Sequence, residues 1–100
     1  MSFDELVKKA DSGDANAQYE LSEIFFKLVQ EPGKAGDLKQ NMDSTLKYCK
    51  GAADQGHTEA QFKMGLYTLT IFKDGKTSKG YFEKAARKGH MDAQEMLDSL

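Results

Sequence analysis

A nine-residue pattern, A-x-x-G-x-x-x-A-Q, occurs three times in this chain and limits its fold more than any other feature. The copies run through Ala10, Gly13, Ala17 and Gln18, then Ala53, Gly56, Ala60 and Gln61, then Ala86, Gly89, Ala93 and Gln94. Self-similarity of this kind marks a repeat architecture, in which each unit buries its apolar face only against its neighbours. A glycine directly after a helical stretch suits the left-handed residue that closes a helix. The next residues open a second helix. Asp14 is placed to cap it or to oppose its dipole in the first copy, and Thr58 with Gln61 has capping-box spacing in the second. Ala17, Ala60 and Ala93 are small enough for the incoming helix to lie close on the outgoing one. The motif therefore specifies a tight antiparallel helical hairpin, with Gly13, Ala17, Gly56, Ala60, Gly89 and Ala93 as its structural positions.

Apolar periodicity places helices over about 2–12, 14–29, 42–55, 58–73, 77–88 and 91–99, with a loop over 30–41. Phe3, Leu6, Val7 and Ala10 form the stripe of the first helix, and Ser2 with Glu5 again has capping-box spacing. Ala17, Leu21, Ile24, Phe25 and Leu28 form the core stripe of the second. Pro32, Gly33 and Gly36 rule out a continuous helix after it. Asn41 or Asp43 is expected to cap the third helix, whose face is Met42, Leu46, Cys49, Ala52 and Ala53, flanked by Tyr48. Gly51 within it costs about 1 kcal/mol relative to Ala, which close helix packing would explain. The run Leu66–Phe72 favours strand by composition. Alignment on the motif glycines decides for helix, because Leu21 matches Met64 and Ser22 matches Gly65. Thr77 or Ser78 is expected to cap the fifth helix. The glycines are spaced 43 and then 33 positions apart, and the extra length falls mainly in the 30–41 loop. The expectation is an all-α domain over 1–100, a short right-handed α-solenoid of about three antiparallel helix pairs.

Composition narrows the function classes. With 14 basic and 16 acidic residues interspersed, the chain carries a net charge of −2, and nothing in it calls for nucleic acid or an anionic membrane. Cys49 is the single cysteine, so no intramolecular disulfide forms and a reducing compartment is the simpler expectation. The segment Met1–Glu5 is acidic where a secretion signal would be basic and then apolar, and no apolar run has the length to span a bilayer. A cytoplasmic, soluble protein is expected.

The residues around the motif resemble the Sel-one-like repeat family, relatives of the tetratricopeptide repeat. That pattern is roughly A-A-x-x-G-x-x-x-A-Q-x-x-L-G-x-x-Y, preceded by a helix ending in two aromatics and K-A-A. Tyr81, Phe82, Lys84, Ala85, Ala86, Gly89, His90, Ala93, Gln94 and Leu97 carry it in the last copy. Ala52, Ala53, Gly56, His57, Ala60, Gln61, Met64 and Gly65 carry it in the middle one, and Ala10, Gly13, Ala17, Gln18, Leu21 and Phe25 in the first. The chain departs from the pattern at Ser22 (usually glycine), Thr68 (usually aromatic) and Gly51 (usually lysine). The resemblance implies a scaffold or adaptor that binds other proteins, commonly on its concave face. A cysteine-rich branch linked to β-lactam binding depends on a disulfide in each repeat, which Cys49 alone does not fit.

The first helix of each pair lines the concave surface in solenoids of this kind. Its non-core residues, Asn16, Tyr19, Glu23, Phe26 and Lys27, then Glu59, Phe62, Leu66, Leu69 and Thr70, form the expected partner-binding groove, with Asp92 and Glu95 beyond. An apolar, aromatic strip edged by acids usually marks a partner site, here for a peptide or domain carrying Lys or Arg. The alternative is that these side chains complete the packing between repeats. His57 and His90 share one repeat position and read as helix-entry residues that pack and cap. No further ligand completes a metal site, and no cofactor, metal or catalytic residue is expected. Gly75, Lys76 and Thr77 imitate the end of a phosphate loop without its first glycine or its preceding strand. The expectation is a non-enzymatic protein-interaction module. A more specific form is a small cytosolic immunity protein that neutralises a toxin domain. A hydrolase is the rival of another class, although no acid, base and nucleophile are grouped to support it. Monomer or weak self-association is expected.

Overall fold

In the computed structural model, residues 1–31 and 37–100 are described. Six helices occur among them: α1 (Phe3–Asp11), α2 (Ala15–Gln30), α3 (Leu38–Asp54), α4 (Thr58–Thr70), α5 (Gly75–Arg87) and α6 (Met91–Ser99). The expected loop residues Pro32, Gly33 and Gly36 lie outside the described residues. Each helix packs on the next in sequence, giving an all-α, solenoid-like stack.

The three motif glycines close α1, α3 and α5 identically. Gly13, Gly56 and Gly89 have φ of 106°, 92° and 90°, where any side chain would be strained. At each, the glycine amide donates to the carbonyl three residues back. The following amide, of Asp14, His57 or His90, donates to the carbonyl five residues back. This is the Schellman arrangement, and it satisfies carbonyls that a helix end leaves open. The motif glutamine adds a tie that the pattern alone does not disclose. Gln18 Nε2 donates to the Ala10 carbonyl at 3.0 Å and Gln61 Nε2 to the Ala53 carbonyl at 3.3 Å, so each new helix is fastened to the end of the last. In the third copy Gln94 turns instead to Asp98.

Several local expectations are corrected. α3 begins at Leu38 rather than near Asn41 or Asp43, because the Asp37 carboxylate accepts from the amides of Lys39 and Gln40 and caps the helix earlier. Asn41 is then a buried interior residue. α5 begins at Gly75, not Thr77, because Asp74 caps it through the Thr77 amide. Thr58 is the first residue inside α4, and the cap is His57. Phe3 and Ile24, placed on core stripes by periodicity, are 50% and 36% exposed. Thr45, Ser22 and Ser78 are buried in their stead, each hydroxyl donating to a carbonyl within its own helix.

Gly51 is explained by a close approach. A Cβ there would stand 3.0 Å from Gln18 Oε1, the atom that accepts from Gln55 Nε2 at 2.9 Å. Gln18 thereby joins α1, α2 and the end of α3.

Candidate functional site

The face built by α2, α4 and the start of α6 follows from the repeat register. Six positions after one motif glycine stands an aromatic ring, and one position after the next stands a histidine. Tyr19 stacks on His57 with centroids 4.6 Å apart, and Phe62 stacks on His90 at 4.4 Å, both with 25° between the ring planes. Each histidine is also a helix cap, its Nδ1 accepting from the Ala60 or Ala93 amide at 3.1 Å. With Nδ1 an acceptor, the neutral ring carries its proton on Nε2. At His90 that proton is donated to Glu59 Oε2 at 2.8 Å. Burial lowers the pKa of His57, favouring the neutral form that the cap requires.

The ten groove residues read from sequence divide into two sets. Tyr19, Phe26, Phe62, Leu66 and Leu69 are half-buried and pack against the next layer: the first two on the cluster of Cys49, Ala52 and Tyr67, the others on that of Phe82, Ala85 and Ala93. Phe26 meets Tyr67 at 5.3 Å and Phe62 meets Phe82 at 5.9 Å. The apolar strip thus joins successive repeats. Asn16, Lys27 and Thr70 are exposed, and Glu59 and Glu23 half-buried beside the rings. Thr70 returns its hydroxyl to the Leu66 carbonyl.

Glu23 stands apart from the rest. Its Oε1 is buried with no hydrogen-bond partner among the described residues, as is the Tyr67 hydroxyl. Both Tyr19 and Tyr67 have their pKa values raised, first by burial and then by charges that include Glu23. The buried Glu23 oxygen thus belongs to the face that α2 and α4 share, near the Tyr19 and Tyr67 rings. A buried acceptor left without a donor costs about 1–3 kcal/mol, more for a charged group.

The remaining candidates are structural. Cys49 is fully buried, donates weakly to the Ala60 carbonyl and has its thiol pushed up to about 12 by that burial. Asp74 puts a carboxylate at the α5 N-terminus, where a phosphate held by Gly75, Lys76 and Thr77 would have to lie. Lys88 Nζ donates to the Gly56 carbonyl and so links two motif turns. Among the described residues no group of His, Cys, Asp and Glu is assembled to hold a metal ion, and no helix is long and apolar enough to cross a membrane.

Helical hairpins closed by the same turn and stacked through the same ring contacts define a helical-repeat protein of the α-solenoid class. The Sel1 repeat model matches residues 15–57 and 58–90, that is, α2 with α3 and α4 with α5. A crystal structure of a Sel1 repeat protein from Oxalobacter formigenes is similar at 34% identity with a TM-score of 0.75, covering 93% of this chain and 67% of that one. No curated protein matches. The chain belongs to the Sel1 repeat family, whose repeats mediate protein–protein interaction.

Proposed function

We infer that this chain is a non-enzymatic protein-interaction module that receives a peptide or domain of another protein on the face built by α2 and α4. The observation that carries this reading is Glu23, whose carboxylate has a buried oxygen without a hydrogen-bond partner among the described residues. A lysine or arginine from a partner supplies the missing donor and balances the charge. On the same two helices Asn16, Lys27 and Thr70 are exposed, and Glu59 and the rings of Tyr19, Phe26 and Phe62 are half-buried. The chemistry within reach also favours binding over catalysis. Both histidines hold their Nδ1 atoms in caps, and the one thiol is buried and protonated at neutral pH.

The test is selection of displayed peptides by the wild-type protein and by Glu23→Arg. Glu23 is chosen over a ring because Phe26 and Phe62 each hold two helices together. Wild type is expected to enrich peptides with a central Lys or Arg, and Glu23→Arg to lose them by about tenfold or more with its circular dichroism unchanged. Basic peptides held equally by both proteins would refute the placement.

A further inference from the structure

The other side of α4 carries buried Met64 and Thr68 at the floor of a groove. Met64 stands two residues on from Phe62, about 200° round the helix, and so points away from the inter-repeat strip. Met64, Thr68 and Phe72, at four-residue steps along α4 and just past its end, face a groove of about 410 Å³ between α3 and α5. Leu46 and Tyr81 wall it, and Asp43, which pairs with Lys39, lines it together with Lys47, Lys50 and Thr77. Phe72 is 56% exposed at its end.

The molecule holds a filled version of this groove one repeat earlier. Counting from the motif glycines, Phe3 corresponds to Leu46, Tyr48 to Tyr81, and Phe25 to Thr68. In the earlier repeat the Phe25 ring lies between the other two, 6.1 Å from Phe3 edge-on and 6.1 Å from Tyr48 in a parallel stack. In the later repeat Thr68 replaces that ring, and its hydroxyl bonds back to the Met64 and Gly65 carbonyls. Where an aromatic ring packs between α1 and α3, the matched position between α3 and α5 is buried Thr68, which lines the groove.

Charge identifies what would enter. The two walls, α3 and α5, carry seven lysines and arginines against three acids, a local net charge of +4 in a chain whose net charge is −2. Lys39 and Lys50 are paired with Asp43 and Asp54, whereas Lys47 and Lys84 lie over tyrosine rings, 5.2 Å from Tyr48 and 5.7 Å from Tyr81. We propose that this groove is a second docking site, for a segment of another protein that inserts an aromatic side chain against Tyr81 and flanks it with Asp or Glu. The ring takes the place that Phe25 holds in the repeat before, and the acidic flanks meet Lys47. The groove shares no lining residue with the Glu23 face and has the opposite charge preference.

A displayed random-peptide library selected on the wild-type protein tests this, followed by titration of the enriched peptides. Enrichment of an aromatic residue flanked by acids is expected. Thr68→Phe, which rebuilds the ring of the earlier repeat, should weaken those peptides by about tenfold or more while keeping the melting temperature. Phe72→Ala, at an exposed position, gives the same readout should the larger side chain disturb the fold. Lys47→Glu should weaken binding severalfold with a reduced salt dependence, and Glu23→Arg should leave it unchanged. The proposal is overturned by no acidic-aromatic enrichment, by binding that survives both Thr68→Phe and Phe72→Ala, or by a dimer of this chain that Thr68→Phe disperses. Acidic-aromatic peptides lost with Glu23→Arg alone would likewise overturn it and assign them to the other face.

Discussion

The two matched repeats fill one packing layer with opposite choices of side chain. Nine positions after the motif glycine, the first has Ser22 and the second Gly65. Facing them, α3 supplies Cys49 and α5 supplies Phe82, at equivalent positions. Ser22, Cys49 and Phe82 have no exposed surface, and a Cβ at Gly65 would stand 2.5 Å from the Phe82 ring. In the first repeat two small residues share the layer; in the second one helix gives up its side chain altogether and the other provides a phenyl ring. The repeat conserves filled space between paired helices, not the residue that fills it, in keeping with the tolerance of cores for volume-preserving exchange.

The largest effect should come from emptying the second layer. Phe82→Ala is expected to destabilise by about 3–5 kcal/mol in urea unfolding, and Cys49→Ala, at the matched position, by about 1 kcal/mol. Equal losses would refute the account of shared volume. Next comes overfilling: Gly65→Ala should cost about 1–3 kcal/mol, and Phe82→Leu in the same chain should recover part of it. Strict additivity of the two changes would show that they do not share one space. The glutamine ties give a smaller contrast. Gln18→Ala and Gln61→Ala should each cost about 1 kcal/mol, and Gln94→Ala less than about 0.5 kcal/mol, since Gln94 reaches only Asp98 on its own helix.

The smallest effect concerns pH. Burial lowers the His57 pKa from its ordinary 6.5, so the folded state favours the neutral ring. The stability this confers is complete above that value and is lost as pH falls through the folded pKa. Between about pH 7 and pH 5 the wild-type melting temperature should therefore fall more than that of His57→Asn, whose amide caps without titrating. Parallel curves would remove His57 from the acid sensitivity.

Much of the fold is legible in the sequence because glycine and alanine at fixed spacing have few structural uses. The three helix closures and the helical character of Leu66–Thr70 follow from the register alone. Helix starts are harder to place. Asp37 and Asp74 take the caps ahead of the Asn41, Asp43, Thr77 and Ser78 that the pattern offers, and one residue type serves as cap in several alignments. Periodicity also assigns a direction without saying what lies there. Ile24 lies on the α2 stripe and is nonetheless exposed, and the strip of Tyr19, Phe26 and Phe62 meets the next repeat. Thr68 is visible as a departure from an aromatic position. That the departure borders a groove depends on how α3 and α5 are spaced in the fold. The unpartnered oxygen of Glu23 has no sequence signal beyond its acidity.

Cys49 supplies a clock for the first layer. Its thiol is sealed between α3 and α4 and stays protonated near neutral pH, so an alkylating reagent reaches it only after those helices part. The rate of labelling in native buffer then counts the openings of that junction, and mass spectrometry reads it without any added reporter.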